Sequence, residues 1–113
     1  MQVRNLTLPG GIDLIEVEGT LLGGEEINAL RKAIDKSADT KATKLIVDLG
    51  GVTHVNSAAL GVLVAAAITY SRRGWQLRIC ETNKAVHSIF IITKLNLLFD
   101  LVTTRDEAVK SFK

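Results

Sequence analysis

Apolar positions along this chain alternate between two rhythms, one suited to strands and one to helices. Residues 3–8 and 12–18 carry strand-like apolar positions, Ile12, Leu14 and Val17 among them, on either side of Pro9-Gly10-Gly11. That arrangement predicts an antiparallel hairpin. Residues 19–24 break the pattern. From 25 to 37 the apolar residues Ile27, Leu30 and Ile34 fall at helical spacing. Glu25 and Glu26 stand at the start of that stretch and Arg31, Lys32 and Lys36 towards its end, as a helix dipole prefers. An aliphatic strand follows at 44–49, then a Gly50-Gly51 break, a short second apolar step to Val55, and a helix over 57–72.

Gly74-Trp75 introduces a strand at 76–80. Val86, Ile89, Phe90 and Ile92 then suit a helix over 83–93, despite its β-branched ending. A last strand at 98–102 and a last helix at 105–112 complete the series, with Thr104 as cap and Asp106 and Glu107 in the first turn. Strands separated by helices of this length predict an α/β fold. Its sheet is small, mixed and mainly parallel, with an N-terminal antiparallel hairpin, right-handed crossovers and about four helices mostly on one face. Gly10-Gly11, Gly23-Gly24 and Gly50-Gly51 all read as turns.

Composition narrows the class. A chain of 113 residues, 47% hydrophobic and 23% charged with a single proline, has the make-up of one folded domain, residues 1–113. Fourteen basic residues against twelve acidic ones leave a formal charge of +2. No basic track with interleaved aromatics marks a nucleic-acid surface, and the densest basic pair, Arg72-Arg73, reads as solvated. The apolar run over 58–68 is shorter than the roughly 20 residues a bilayer span needs, so it reads as a core helix and not as a membrane insertion. The opening residues lack the basic start and apolar stretch of a signal peptide, which implies a cytoplasmic, reducing setting.

Chemistry is sparse. Cys80 is the single cysteine, so no internal disulfide can form, and it reads as a buried or half-buried strand thiol. Neither a phosphate-cradling loop nor a nucleophile elbow is present, and the two histidines, His54 and His87, do not complete a triad with Ser57. His54 reads as a solvated loop residue. Asp48 and Glu25 read as solvated or capping carboxylates. The chain is therefore expected to be no enzyme and to need neither cofactor nor metal.

Ser57 is the residue with two readings. At the mouth of an apolar helix a serine caps an orphan N–H, worth about 1 kcal/mol against alanine. The same place tolerates a phosphate well, because first-turn N–H groups and the helix dipole both favour negative charge.

The residues around it extend beyond a bare helix start. Val47-Asp48-Leu49, then Gly51-Val52, then Val55-Asn56-Ser57-Ala58-Ala59-Leu60-Gly61-Val62-Leu63 resembles the signature of the STAS domain, the fold of anti-sigma-factor antagonists, whose commonest form reads Asp-Ser-Ser/Ala-Gly-Leu-Gly. Val17-Glu18-Gly19-Thr20-Leu21, Gly74-Trp75-Gln76-Leu77 and Lys94-Leu95-Asn96-Leu97-Leu98-Phe99 extend the likeness over nearly the whole chain. The resemblance implies a partner-switching protein. In that family the serine after the aspartate, here Ser57, is phosphorylated by an anti-sigma factor that doubles as a kinase and brings its own ATP. The unphosphorylated antagonist binds the anti-sigma factor and frees the sigma factor, and the phosphorylated form does not. A phosphoserine adds about −1.5 to −2 charges, enough to oppose docking on an acidic or desolvated surface.

The expected partner face comprises the loop over 20–24, with Leu21, Leu22 and Gly23, the turn over 53–57, with Thr53, His54, Asn56 and Ser57, and the start of the following helix, with Ala58, Ala59 and Leu60. Three positions depart from the family pattern. Asn56 stands for the usual Asp, Ala59 adds a methyl where Gly is usual, and Leu22 replaces an Asp common in the kinase-docking loop. They leave room for a second reading, an unphosphorylated STAS scaffold or accessory subunit of a stress-signalling or transporter complex, whose partner is another STAS or scaffold protein. Either way a monomer or weak dimer is expected.

Overall fold

The computed structural model describes residues 2–112. Its elements, in chain order, are β1 (Gln2–Leu8), β2 (Ile12–Leu21), α1 (Gly24–Asp39), β3 (Lys44–Val55), α2 (Ser57–Arg72), β4 (Gln76–Cys80), α3 (Lys84–Ile92), a single 3-10 turn (Leu95–Leu97), β5 (Asp100–Val102) and α4 (Arg105–Lys110). They form one five-stranded sheet in the order β1-β2-β3-β4-β5. β1 pairs antiparallel to β2, and every later pairing is parallel. This is the mixed, mainly parallel α/β architecture that the hydrophobic pattern predicts, hairpin included.

Strand periodicity sorts the side chains between two layers. Ile15, Val17, Leu45, Val47, Leu49, Leu77 and Ile79 point to the face that α1, α2 and α3 cover with Leu30, Ile34, Leu63, Tyr70, Val86 and Phe90. Ile12, Leu14, Ile46 and Cys80 point to the other face, where α4 supplies Ala108 with Val109 and Phe112 beside it. Three helices thus lie on one side and the short α4 on the other. Cys80 is fully buried in β4, and burial, with Asp48 and Glu81 adding their charge, pushes its thiol up to about 12, so it is inert.

The largest departure from the expected pattern is at Gly50-Gly51. These glycines make no turn: β3 runs straight through them to Val55, and β2 continues beyond Glu18 to Leu21. The pairing of β2 with β3 slips between Glu16 and Glu18 and again between Gly19 and Thr20. At the first slip the two backbones approach closely. A Cβ on Gly51 would stand 2.5 Å from Glu18 Cγ and 3.0 Å from Glu18 Cα, so glycine serves a bulge inside a strand.

Asp48 is the second correction. It is 7% exposed, neither solvated nor a helix cap, and is held by Arg105 of α4. Glu25 is exposed in the first turn of α1. The last strand is shorter than the apolar run suggests. Lys94 turns the chain with a φ of 62° into the 3-10 turn, which brings Phe99 edge-on to Phe90 at 5.4 Å before β5 begins. Of the glycine pairs, Gly10-Gly11 does turn, with φ of 89° and 73°, whereas Gly23 is the extended N-cap residue of α1.

Candidate functional site

β2 and β3 are parallel and finish together, with Leu21 paired to Val55. The loop into α1 and the turn into α2 therefore emerge side by side at the carboxyl edge of the sheet. Asn56 joins them. Its backbone N–H donates to the Leu21 carbonyl at 3.2 Å, and its side-chain amide donates to the Leu22 carbonyl at 3.0 Å. Its Oδ1 accepts from the Ala59 N–H at 2.9 Å, so Asn56 is the N-cap of α2. Ser57 is the first helical residue and is exposed.

The first turn of α2 carries no acidic side chain, so nothing of its own opposes an added negative charge there. Leu22, Thr53, His54, Ser57 and Ala58 are exposed around this edge, with Leu22 at 52%. Gly23, Asn56 and Leu60 are partly covered. His54 Nδ1 lies 3.1 Å from Thr53 Oγ1. Leu21 and Ala59 are placed differently: both are fully buried and belong to the core beneath the edge. The Ala59 methyl packs inward and does not stand in the way of an approaching partner.

The sequence matches the STAS domain family over residues 5–108. The chain belongs to the STAS family. None of the curated proteins matches it by sequence. Among solved structures, a Thermotoga maritima protein assigned as an anti-sigma factor antagonist superposes with a TM-score of 0.88 at 19% identity, covering 96% of this chain and 92% of that one. An anti-sigma factor antagonist from Mycobacterium paratuberculosis gives 0.82 at 22% identity, over 97% and 93%. The phosphorylated form of the Bacillus cell fate determinant SpoIIAA gives 0.77 at 13% identity, over 99% and 100%. At these identities the likeness is one of fold.

Two features of this STAS domain escape the sequence pattern. Asn83 repeats the Asn56 device one strand along, accepting from the Val86 N–H at 2.8 Å and donating to the Val52 carbonyl at 2.9 Å. An asparagine just before a helical run is a signal for the cap, but not for the bond to β3. The other is an ion cluster on the α4 side of the sheet. Arg105 Nη2 reaches Asp48 at 2.6 Å and also Glu16, Glu16 meets Arg4 at 2.8 Å, and the Arg105 N–H donates to Glu81 at 2.7 Å. The hydrogen bond and charge of Arg105, with Arg4 adding to them, hold the Glu16 carboxyl below its usual range against the opposing effect of burial. Its partners lie up to 89 residues apart in the chain, so no local motif announces it.

Among the described residues no helix is long and apolar enough to cross a membrane, and no group of three or more metal-ligating side chains is assembled.

Proposed function

We propose that this STAS protein is an anti-sigma-factor antagonist that switches partners, with Ser57 as its phosphoacceptor and an anti-sigma factor with serine-kinase activity as its partner. The observation that carries this reading is the division of labour at the start of α2. Asn56 performs the capping, which leaves the exposed Ser57 hydroxyl free of structural duty at the place on the helix where a phosphate is best tolerated. The docking face is the carboxyl edge: Leu22, Thr53, His54, Ser57, Ala58 and Leu60, with Gly23 and Asn56 shaping it and Leu21 and Ala59 supporting it from beneath.

Incubation with the cognate kinase and ATP, followed by mass-spectrometric mapping, tests the proposal. Phosphate is expected on Ser57 and none on Ser57→Ala. An unlabelled Ser57, together with a Ser57→Asp variant that binds partners as the wild type does, overturns it. One observation favours the scaffold reading instead: Leu22 puts an exposed apolar side chain where a kinase-docking carboxylate is common in the family. Under that reading the same edge binds another STAS or scaffold protein without regard to Ser57 chemistry.

A further inference from the structure

The large aliphatic side chains left in water are gathered at one place. Of the seven exposed among the described residues, Ile91, Ile92, Leu97 and Leu98 belong to the end of α3 and the 3-10 turn that follows it. Ile92 is 79% exposed and Leu97 81%, so both protrude almost whole. Between them Lys94, also exposed, turns the chain in the left-handed region. The turn has an inside and an outside: Leu95 and Phe99 pack into the core, which leaves Ile92 and Leu97 at an apolar tip. Exposed apolar surface gathered in this way marks a place of contact.

This tip lies at the opposite end of the molecule from Ser57. α3 leaves the carboxyl edge after β4 and runs back to the amino edge, where the parallel strands begin. α2 ends there as well, and Leu98 lines one hollow with Ser71, Gly74 and Trp75. The free charges around the tip are positive. Arg72, Arg73 and Lys94 are exposed and join no salt bridge among the described residues, and Arg73 lies over the Trp75 ring at 4.9 Å. Asp100, which shares the hollow of Leu98, is already engaged by Arg78 at 2.9 Å. Farther along the amino edge Asp13 and Asp39 are offset by Lys41 and Lys44. The apolar groove between α1 and α2 has no such bias: it holds about 450 Å³, but Arg31 and Asp35 both line it, so its charge favours no occupant.

We propose that the tip seats the protein on a lipid surface rich in anionic headgroups. Ile92 and Leu97 enter the boundary between headgroups and acyl chains, and Lys94, Arg72 and Arg73 meet the lipid phosphates. A bilayer suits a protruding tip because it flows round the side chains and needs no matching cavity. A second copy suits it poorly. Four aliphatic side chains fall well short of the about 800 Å² per partner that a standard interface covers, and a two-fold contact here sets the same cations against one another. The attachment is peripheral and leaves Ser57 facing away from the membrane, so it does not depend on the reading of Ser57 as a phosphoacceptor.

Co-sedimentation of the purified protein with vesicles, either of phosphatidylcholine alone or of equal parts phosphatidylcholine and phosphatidylglycerol, tests the proposal. Binding is expected to the mixed vesicles, several-fold less to phosphatidylcholine alone, and less to either at high salt, which screens exposed charges. Ile92→Ser with Leu97→Ser should lower the partition coefficient by at least about tenfold with the fold intact by circular dichroism, because each change withdraws an aliphatic side chain from the bilayer. Lys94→Glu keeps the apolar tip and should lower it several-fold. Ser57→Asp, at the other edge, should bind vesicles as the wild type does. Absence of binding to the mixed vesicles overturns the proposal, as does equal binding to both kinds or binding that survives the double change. Loss of binding in Ser57→Asp overturns it by moving the contact to the carboxyl edge. Self-association of the wild type in sedimentation velocity, abolished by the double change, overturns it in favour of a second copy.

Discussion

Asn56 illustrates how much one residue decides at the carboxyl edge. An aspartate there would still cap α2, but it has no N–H to donate to the Leu22 carbonyl and would set a negative oxygen against it. The amide thus ties the β2–α1 loop to the helix that presents Ser57. Asn56→Asp should keep the helix cap yet loosen the loop, lowering stability by about 1 kcal/mol in urea titration. Faster amide exchange at Leu22 and Gly23 than at Ala59 would locate the loss. Equal exchange at all three would show that the tie contributes nothing.

At the scale of elements, β3 and α4 hold the frame. Gly51 is required by the close approach of β2 at the bulge, and a methyl there presses on the Glu18 backbone. Gly51→Ala should therefore destabilise the domain by roughly 1–3 kcal/mol, the usual cost of overpacking. Gly24→Ala, where an added Cβ meets nothing, should not.

The ion cluster ties α4 to β2 and β3 and makes stability depend on pH. Because the folded Glu16 carboxyl lies below its unfolded value, its contribution is present above the unfolded value and is lost as pH falls through the folded one. Glu16→Gln should accordingly flatten the acid limb of the stability curve, measured as the melting midpoint from neutral pH downward. An unchanged acid limb would show that Glu16 has no part in it. The cluster is partly open, with the Arg105 side chain 36% exposed, so solvent screens it and added salt should weaken it.

For the whole molecule, the proposed partner face is separable from the core. Ser57 is exposed at the start of a helix whose dipole favours a negative group, so Ser57→Asp should leave stability within about 0.5 kcal/mol of wild type. Partner binding, read by calorimetry, should fall by at least about tenfold, equivalent to ~1.4 kcal/mol. A variant that unfolds would place Ser57 in the frame and not on the face.

Strands, helices and their order were legible in the chain because period and turn chemistry are local: Ile27, Leu30 and Ile34 announce α1, and Pro9-Gly10-Gly11 announces the hairpin. So was the start of α2, where apolar periodicity begins at once after Asn56-Ser57. What was not legible depends on neighbours distant in sequence. A glycine pair in a turn and a glycine pair inside a bulged strand look alike until β2 lies against β3. Asp48 looks solvated until Arg105 returns to it from 57 residues away. Leu21 and Ala59 look like members of the exposed edge until packing turns them inward. The sequence by itself determined the α/β frame and the residue on which function is proposed to turn. Only the tertiary structure decided which side chains the edge exposes, which asparagine bonds hold it in shape, and where an apolar groove is left between two helices, because each of these follows from contacts that no local pattern encodes.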